Sequence, residues 1–172
     1  MKISARNKIQ ATILAGALLW PALARAEDPR GCDKFKWPIA HEQTALQAAG
    51  KPRIESGGAI ALDAAATLHL QPFADAHLPM APERAPKSAT SNAGAANAPA
   101  PDAPGVFKVS VSEGGWIDVV QDGRFVKSAG FSGVQDCAGI RRSVKFLLAA
   151  KPFTIEVSGV DSPELSLIVS PE

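Results

Sequence analysis

The chain has 172 residues, 46% of them hydrophobic, with 18 Lys and Arg against 17 Asp and Glu and a formal charge of +1. Length and apolar content fit one domain with one core. The even charge excludes the basic footprint of a nucleic-acid binder, since beyond the N-terminal segment the only adjacent basic pair is Arg141-Arg142.

Lys2, Arg6 and Lys8 precede the apolar run "IQATILAGALLWPALA" at 9–24, which ends in Ala24-Arg25-Ala26. A positive head, a short apolar core and small residues at a cleavage site predict a signal peptide over 1–26, with cleavage before Glu27. Pro21 breaks the helix that an uncleaved anchor would need to continue, and no later segment is long and apolar enough to span a bilayer. The remainder, 27–172, reads as one periplasmic or secreted domain. Losing Lys2, Arg6, Lys8 and Arg25 with the leader turns it slightly acidic. Cys32 and Cys137 are the only cysteines, so in an oxidising compartment they are expected to pair. Closing so long a loop contributes on the order of 4 to 5 kcal/mol in the chain-entropy account. The competing reading, a nucleophilic Cys137 helped by a histidine, needs a free thiol. A lipid-modified Cys32 does not fit the preceding "DPRG".

In chain order, the first element expected is a short helix over 38–49, with Pro38 in its first turn and Gly50 as its stop. The period then changes to two: Leu68 and Leu70 alternate with Thr67, His69 and Gln71, the pattern of a half-buried strand. The stretch 79–104 contains six prolines and nine alanines and is expected to be an extended surface loop that contributes nothing to a core. From Gly105 the strand signals crowd together. "VFKVSVS" turns Phe107, Val109 and Val111 inward. "WIDVV" follows, then an Asp122-Gly123 turn of the kind that joins hairpins, then "RFVKSAGF". "VKFLLA", "FTIEVSG" and "ELSLIVS" complete the series. About eight strands and one short N-terminal helix predict an all-β fold, an antiparallel β-sandwich or jelly roll.

The order "GVFKVSVS", "WIDVVQDG", "VKFLLAAKPFTIEVSG" and "LSLIVS" resembles the small β-sandwich accessory modules of secreted bacterial hydrolases, the pre-peptidase C-terminal type among them. From "CDKFKWPIA" through "WIDVVQDG" and "DCAGIRRSVKF", the whole chain also resembles a family of short, exported, uncharacterised proteobacterial proteins, some of which carry the name homogentisate dioxygenase. The first resemblance implies an accessory binding role, the second export and, for the members so named, non-haem iron oxygenase chemistry.

His41, His69 and His77 are the only histidines, and a two-histidine, one-carboxylate metal site needs three separate segments to converge, so no metal or other cofactor is expected. "GFSGV" has Val134 where a nucleophile elbow has glycine, so Ser132 is read as part of a turn. Asp118 and Asp122 do not face each other as glycosidase carboxylates must. Tyrosine is absent and only Trp37 and Trp116 follow the leader, which is little for a sugar-stacking platform. Trp116 lies on a strand with apolar groups on both faces, and is read first as core packing and second as a ligand anchor. Asp118 would then need Arg124, Arg141 or Arg142 as a partner, because an unpaired buried carboxylate is expensive. Trp116, Asp118, Arg124, Arg141 and Arg142 are therefore the candidate binding residues. The expected function is an exported binding or envelope-interaction module without catalysis of its own, acting on an unknown ligand or envelope protein. The alternatives are a non-haem iron dioxygenase of the homogentisate type and a purely structural periplasmic protein.

Overall fold

The computed structural model describes residues 28–172. The leader expected at 1–26 and its expected cleavage point lie outside the described residues.

The alternating segments build two packed sheets. In chain order the strands are β1 (Arg53–Ile54), β2 (Gly58–Ala59), β3 (Ala66–His69), β4 (Gln71–Pro72), β5 (Asn92–Ala98), β6 (Gly105–Val111), β7 (Trp116–Gln121), β8 (Arg124–Phe125), β9 (Ser128–Gly133), β10 (Arg142–Leu148), β11 (Phe153–Val160) and β12 (Glu164–Pro171). The first sheet runs β1-β3-β12-β6-β10-β9, the second β2-β5-β11-β7-β8, with β4 also paired to β5. All pairings are antiparallel except the two-residue edge pairs β1 with β3 and β2 with β5. The all-β sandwich expected from the strand pattern is the fold.

Period-two alternation decides which side chains meet between the sheets. Phe107, Val109 and Val111 of β6, Val144, Phe146 and Leu148 of β10, and Leu165, Leu167 and Val169 of β12 face Ile117 and Val119 of β7 and Phe153, Ile155 and Val157 of β11 in one cluster. Asp122 and Gly123 adopt φ of 53° and 69°, as a two-residue hairpin turn with both central residues left-handed requires, and they bring Arg124 against Gln121. "RFVKSAGF" is two strands rather than one: β8 finishes the second sheet and β9 forms the edge of the first.

Each sheet also has a covered outer face. Over the first sheet lie a turn of 3-10 helix (Cys32–Lys34) and α1 (Ala40–Gln47), a little shorter than the expected 38–49. Ile39 and Leu46 pack there against Ile140 and Ile168, and the Cys32–Cys137 disulfide fastens this layer to the loop before β10. Beneath α1, Glu42 is buried, with Lys108 Nζ and Ser170 Oγ each 2.5 Å from its Oε1. Burial opposes the charge of Glu42 most strongly, but the Lys108 and Ser170 hydrogen bonds, a backbone hydrogen bond and the Lys108 charge together hold its carboxyl below the ordinary range.

The expectation for 79–104 is overturned in its middle. Asn92–Ala98 is β5, hydrogen-bonded to β11 on one side and to β2 and β4 on the other. Ala96 and Ala98 are in the core and Ala93 and Ala95 are buried on the opposite face. Small side chains are what the position needs. A Cβ on Gly94 would lie 2.8 Å from Leu70 Cδ2 and 3.3 Å from Ser56 Oγ. Tertiary packing overrides the low strand propensity of alanine, glycine and asparagine. The residues before it, 73–91, carry turns and no strand, and form a strap whose Met80 and Glu83 backbone amides meet Glu156 of β11 and Asp118 of β7 on the outer face of the second sheet.

Candidate functional site

Trp116 and Asp118 project from β7 on the side away from the core, because Ile117 and Val119 take the inward positions. The same parity on β11 presents Glu156 and Ser158, with Glu156 opposite Asp118 and Ser158 opposite Trp116. Trp116, Asp118, Glu156 and Ser158 thus share a two-by-two patch. The strap lies over it: the Met80 backbone N–H donates to Glu156 Oε1 at 2.8 Å, and that of Glu83 donates to Asp118 Oδ2 at 3.2 Å. The Trp116 indole Nε1 donates to Asp118 Oδ1 at 2.7 Å. Trp116 is only partly buried and lies outside the core cluster, so its reading as core packing is corrected.

The partners expected for Asp118 are corrected too. It is buried, yet its hydrogen bonds come from an indole and an amide, and none from Arg124, Arg141 or Arg142. Arg124 stands beside Gln121 at the other end of β7. Arg141 is 3.0 Å from Asp28 Oδ2 and also donates to the Val134 carbonyl. Arg142 does approach the site from the first sheet: it donates to the Gly115 carbonyl, lies 5.0 Å from the Phe131 ring centroid, and has its closest carboxylate, Asp28, at 3.7 Å.

Beside Trp116 the strap, the β6–β7 turn and the end of β11 enclose a cleft of about 320 Å³. Arg84, Lys87 and Ser88 line it from the strap, Glu113, Gly114 and Gly115 from the turn, and Ser158, Gly159 and Asp161 from β11, with Trp116 and Arg142 completing the wall. The Arg84 guanidinium lies 5.4 Å from the Trp116 ring centroid, a cation–π contact. Glycines give the turn its close approach: a Cβ on Gly115 would meet Val160 Cγ2 at 2.7 Å. One on Gly114 meets nothing within 4 Å.

Sequence reasoning singled out Trp116, Asp118 and Arg142, which the fold gathers here. It missed Arg84, Lys87 and Glu156. The first two are the only basic residues in 79–104, and that isolation was the available signal. Glu156 could not be found without knowing that β11 pairs with β7.

The two carboxylates under the strap share one electrostatic problem. Burial pushes the Asp118 carboxyl upward, against the indole and amide hydrogen bonds, and burial does the same to Glu156, with the nearby Asp118 charge adding to it. Glu156 Oε2 is buried without a hydrogen-bond partner. A carboxyl raised in the folded state favours folding most when pH is below its unfolded value, and that contribution is lost as pH rises through the folded value. Glu156→Gln, which keeps an acceptor for Met80 and removes the charge, is therefore expected to melt above the unaltered protein near pH 7, the difference closing near pH 3. Thermal unfolding of both proteins across that range checks it.

The histidines lie elsewhere. His41 Nε2 is 2.7 Å from Asp63 Oδ1, His69 Nδ1 is 2.9 Å from Glu55 Oε2, and His77 borders a separate shallow cavity with Pro79 and Asn97. Among the described residues no three His, Cys, Asp or Glu side chains converge as a metal-binding group. Ser132 is buried and its Oγ accepts from the Lys36 backbone N–H at 3.1 Å, a fastening for the outer layer. Both cysteines are consumed by the disulfide, which leaves no free thiol for the nucleophile reading. No helix among the described residues is long and apolar enough to cross a membrane.

Compared with protein-family models, curated proteins and solved structures, the chain matches none.

Proposed function

We propose that this protein is an exported β-sandwich binding module of the periplasm or extracellular space, without catalysis of its own, which holds a small ligand in the cleft beside Trp116. The observation that supports this most is the construction of the cleft. Four separate chain segments wall it, and its lining offers backbone, hydroxyls, an indole, three cations and the carboxylates of Glu113 and Asp161. Concave shape with a few convergent polar groups is the usual make-up of a ligand site. Export is supported by the leader-like N-terminal sequence and fits a disulfide between Cys32 and Cys137. The resemblance to accessory modules of secreted hydrolases points the same way.

Gly114 gives a clean test, because a side chain placed there enters open space rather than the core. The unaltered protein is expected to gain about 5 to 10 °C in melting temperature in a small-molecule extract of its own compartment, as a ligand present at about 100 times its Kd would produce. Gly114→Phe, which fills the cleft, is expected to melt like the unaltered protein without extract and to gain nothing with it. Equal gains for both proteins would place binding outside the cleft and overturn the reading.

A further inference from the structure

We propose that the cleft beside Trp116 is a receptor for a small anion, with a carboxylate or phosphate group held between Arg84, Lys87 and Arg142. The inference rests on the binding-module reading and adds the ligand class to it. Three cations, two from the strap and one from β10, reach one cavity. Arg142 is the deepest, its side chain 19% exposed. Its hydrogen bond goes to a neutral carbonyl, its Nε is buried without a partner, and the one carboxylate near it, Asp28, is closer to Arg141. Burial is the main influence disfavouring its charge; Asp28 offsets part of it, and the positive Arg141 and Arg84 add to it. Arg84 and Lys87 make no ion pair among the described residues. Arg84 rests on an indole face, which orients a guanidinium without neutralising it. Like charges gathered around a partly enclosed space are stabilised by a shared counter-charge, and the planar donor fork of arginine suits either a carboxylate or a phosphate. Glu113 and Asp161 also line the cleft, at the turn and at the end of β11. They disfavour a second anionic group on the ligand's far side, so the ligand is one small head group rather than a polyanion.

The test uses the full exported chain, titrated with orthophosphate, acetate, glucose and ethanolamine while the Trp116 indole N–H resonance is followed by NMR. Orthophosphate or acetate is expected to shift that resonance saturably, at one site per chain, more weakly as sodium chloride is raised. Whichever of the two binds more tightly names the head group. Arg84→Gln with Lys87→Gln alters two exposed side chains and leaves the core intact; it is expected to weaken binding about tenfold or more. Unchanged affinity in that double variant, or no shift with either anion at millimolar concentration, overturns the proposal. A shift with glucose or ethanolamine alone overturns it as well, but leaves the cleft standing as a ligand site. Loss of that broader reading is registered separately by Gly114→Phe.

Discussion

Replacing Asn92–Ala98 by a Gly-Ser segment of equal length is expected to abolish cooperative unfolding, although the segment looks dispensable in sequence. The strand bonds to β11 along one edge and to β2 and β4 along the other. Without it the second sheet loses its link to β2 and β4 and the core loses Ala96 and Ala98. Exchanging the alanines for glycine and serine costs about 0.5 to 1 kcal/mol of backbone entropy at each glycine and removes the buried methyl groups. Summed over the strand, with lost ladder pairing, the loss approaches the whole stability of a domain, about 5 to 15 kcal/mol. Far-UV circular dichroism and a thermal scan read the outcome directly. A milder form grades the effect: Gly94→Val, which drives a side chain into Leu70, is expected to cost about 1 to 3 kcal/mol through overpacking. If the Gly-Ser chain melted cooperatively near the original temperature, β5 would be a passenger on β11.

Removing the disulfide is expected to be the next largest loss. Cys32 and Cys137 are 105 positions apart, so Cys32→Ser with Cys137→Ser releases a long loop in the unfolded chain and costs about 4 to 5 kcal/mol in the chain-entropy account. Urea unfolding of the variant and of the oxidised protein gives the difference. The effect is also local. The bridge holds the layer containing Ile39 and Leu46 against Ile140 and Ile168, so amide exchange should accelerate first in the segment before α1. A variant whose exchange rises evenly across both sheets would show that the bridge acts on the unfolded chain alone.

The strands that sequence reveals are those whose side chains alternate between unlike classes. Phe107, Val109 and Val111 stand out against Lys108 and Ser110, and the inward set follows directly. β5 escapes this test because alanine is small enough to be buried on either face, so "NAGAANA" carries no contrast to detect. A proline-rich flank completes the disguise. The candidate site was legible only in part for a related reason. Trp116 and Asp118 are two apart on one strand and must share a face, whereas Arg84 and Glu156 join them through pairings and a crossing strap that no local pattern encodes. Trp116 was read as core because its strand carries apolar groups on both faces, the mark of a central strand. What that argument lacked was the strap, which makes the outer face partly covered and lets an aromatic residue sit outside the apolar cluster.

The place of β12 has a consequence for how the chain is made. This strand, the last of the twelve, lies between β3 and β6 in the middle of the first sheet. Until a ribosome has released it, β3 and β6 face a gap and neither has its partner on that side. The helix layer shares the delay, since Glu42 waits for Ser170 and Ile39 and Leu46 wait for Ile168. Contacts so distant in sequence form slowly and late. Closure of the first sheet therefore waits on β12, which follows both of its neighbours in the chain.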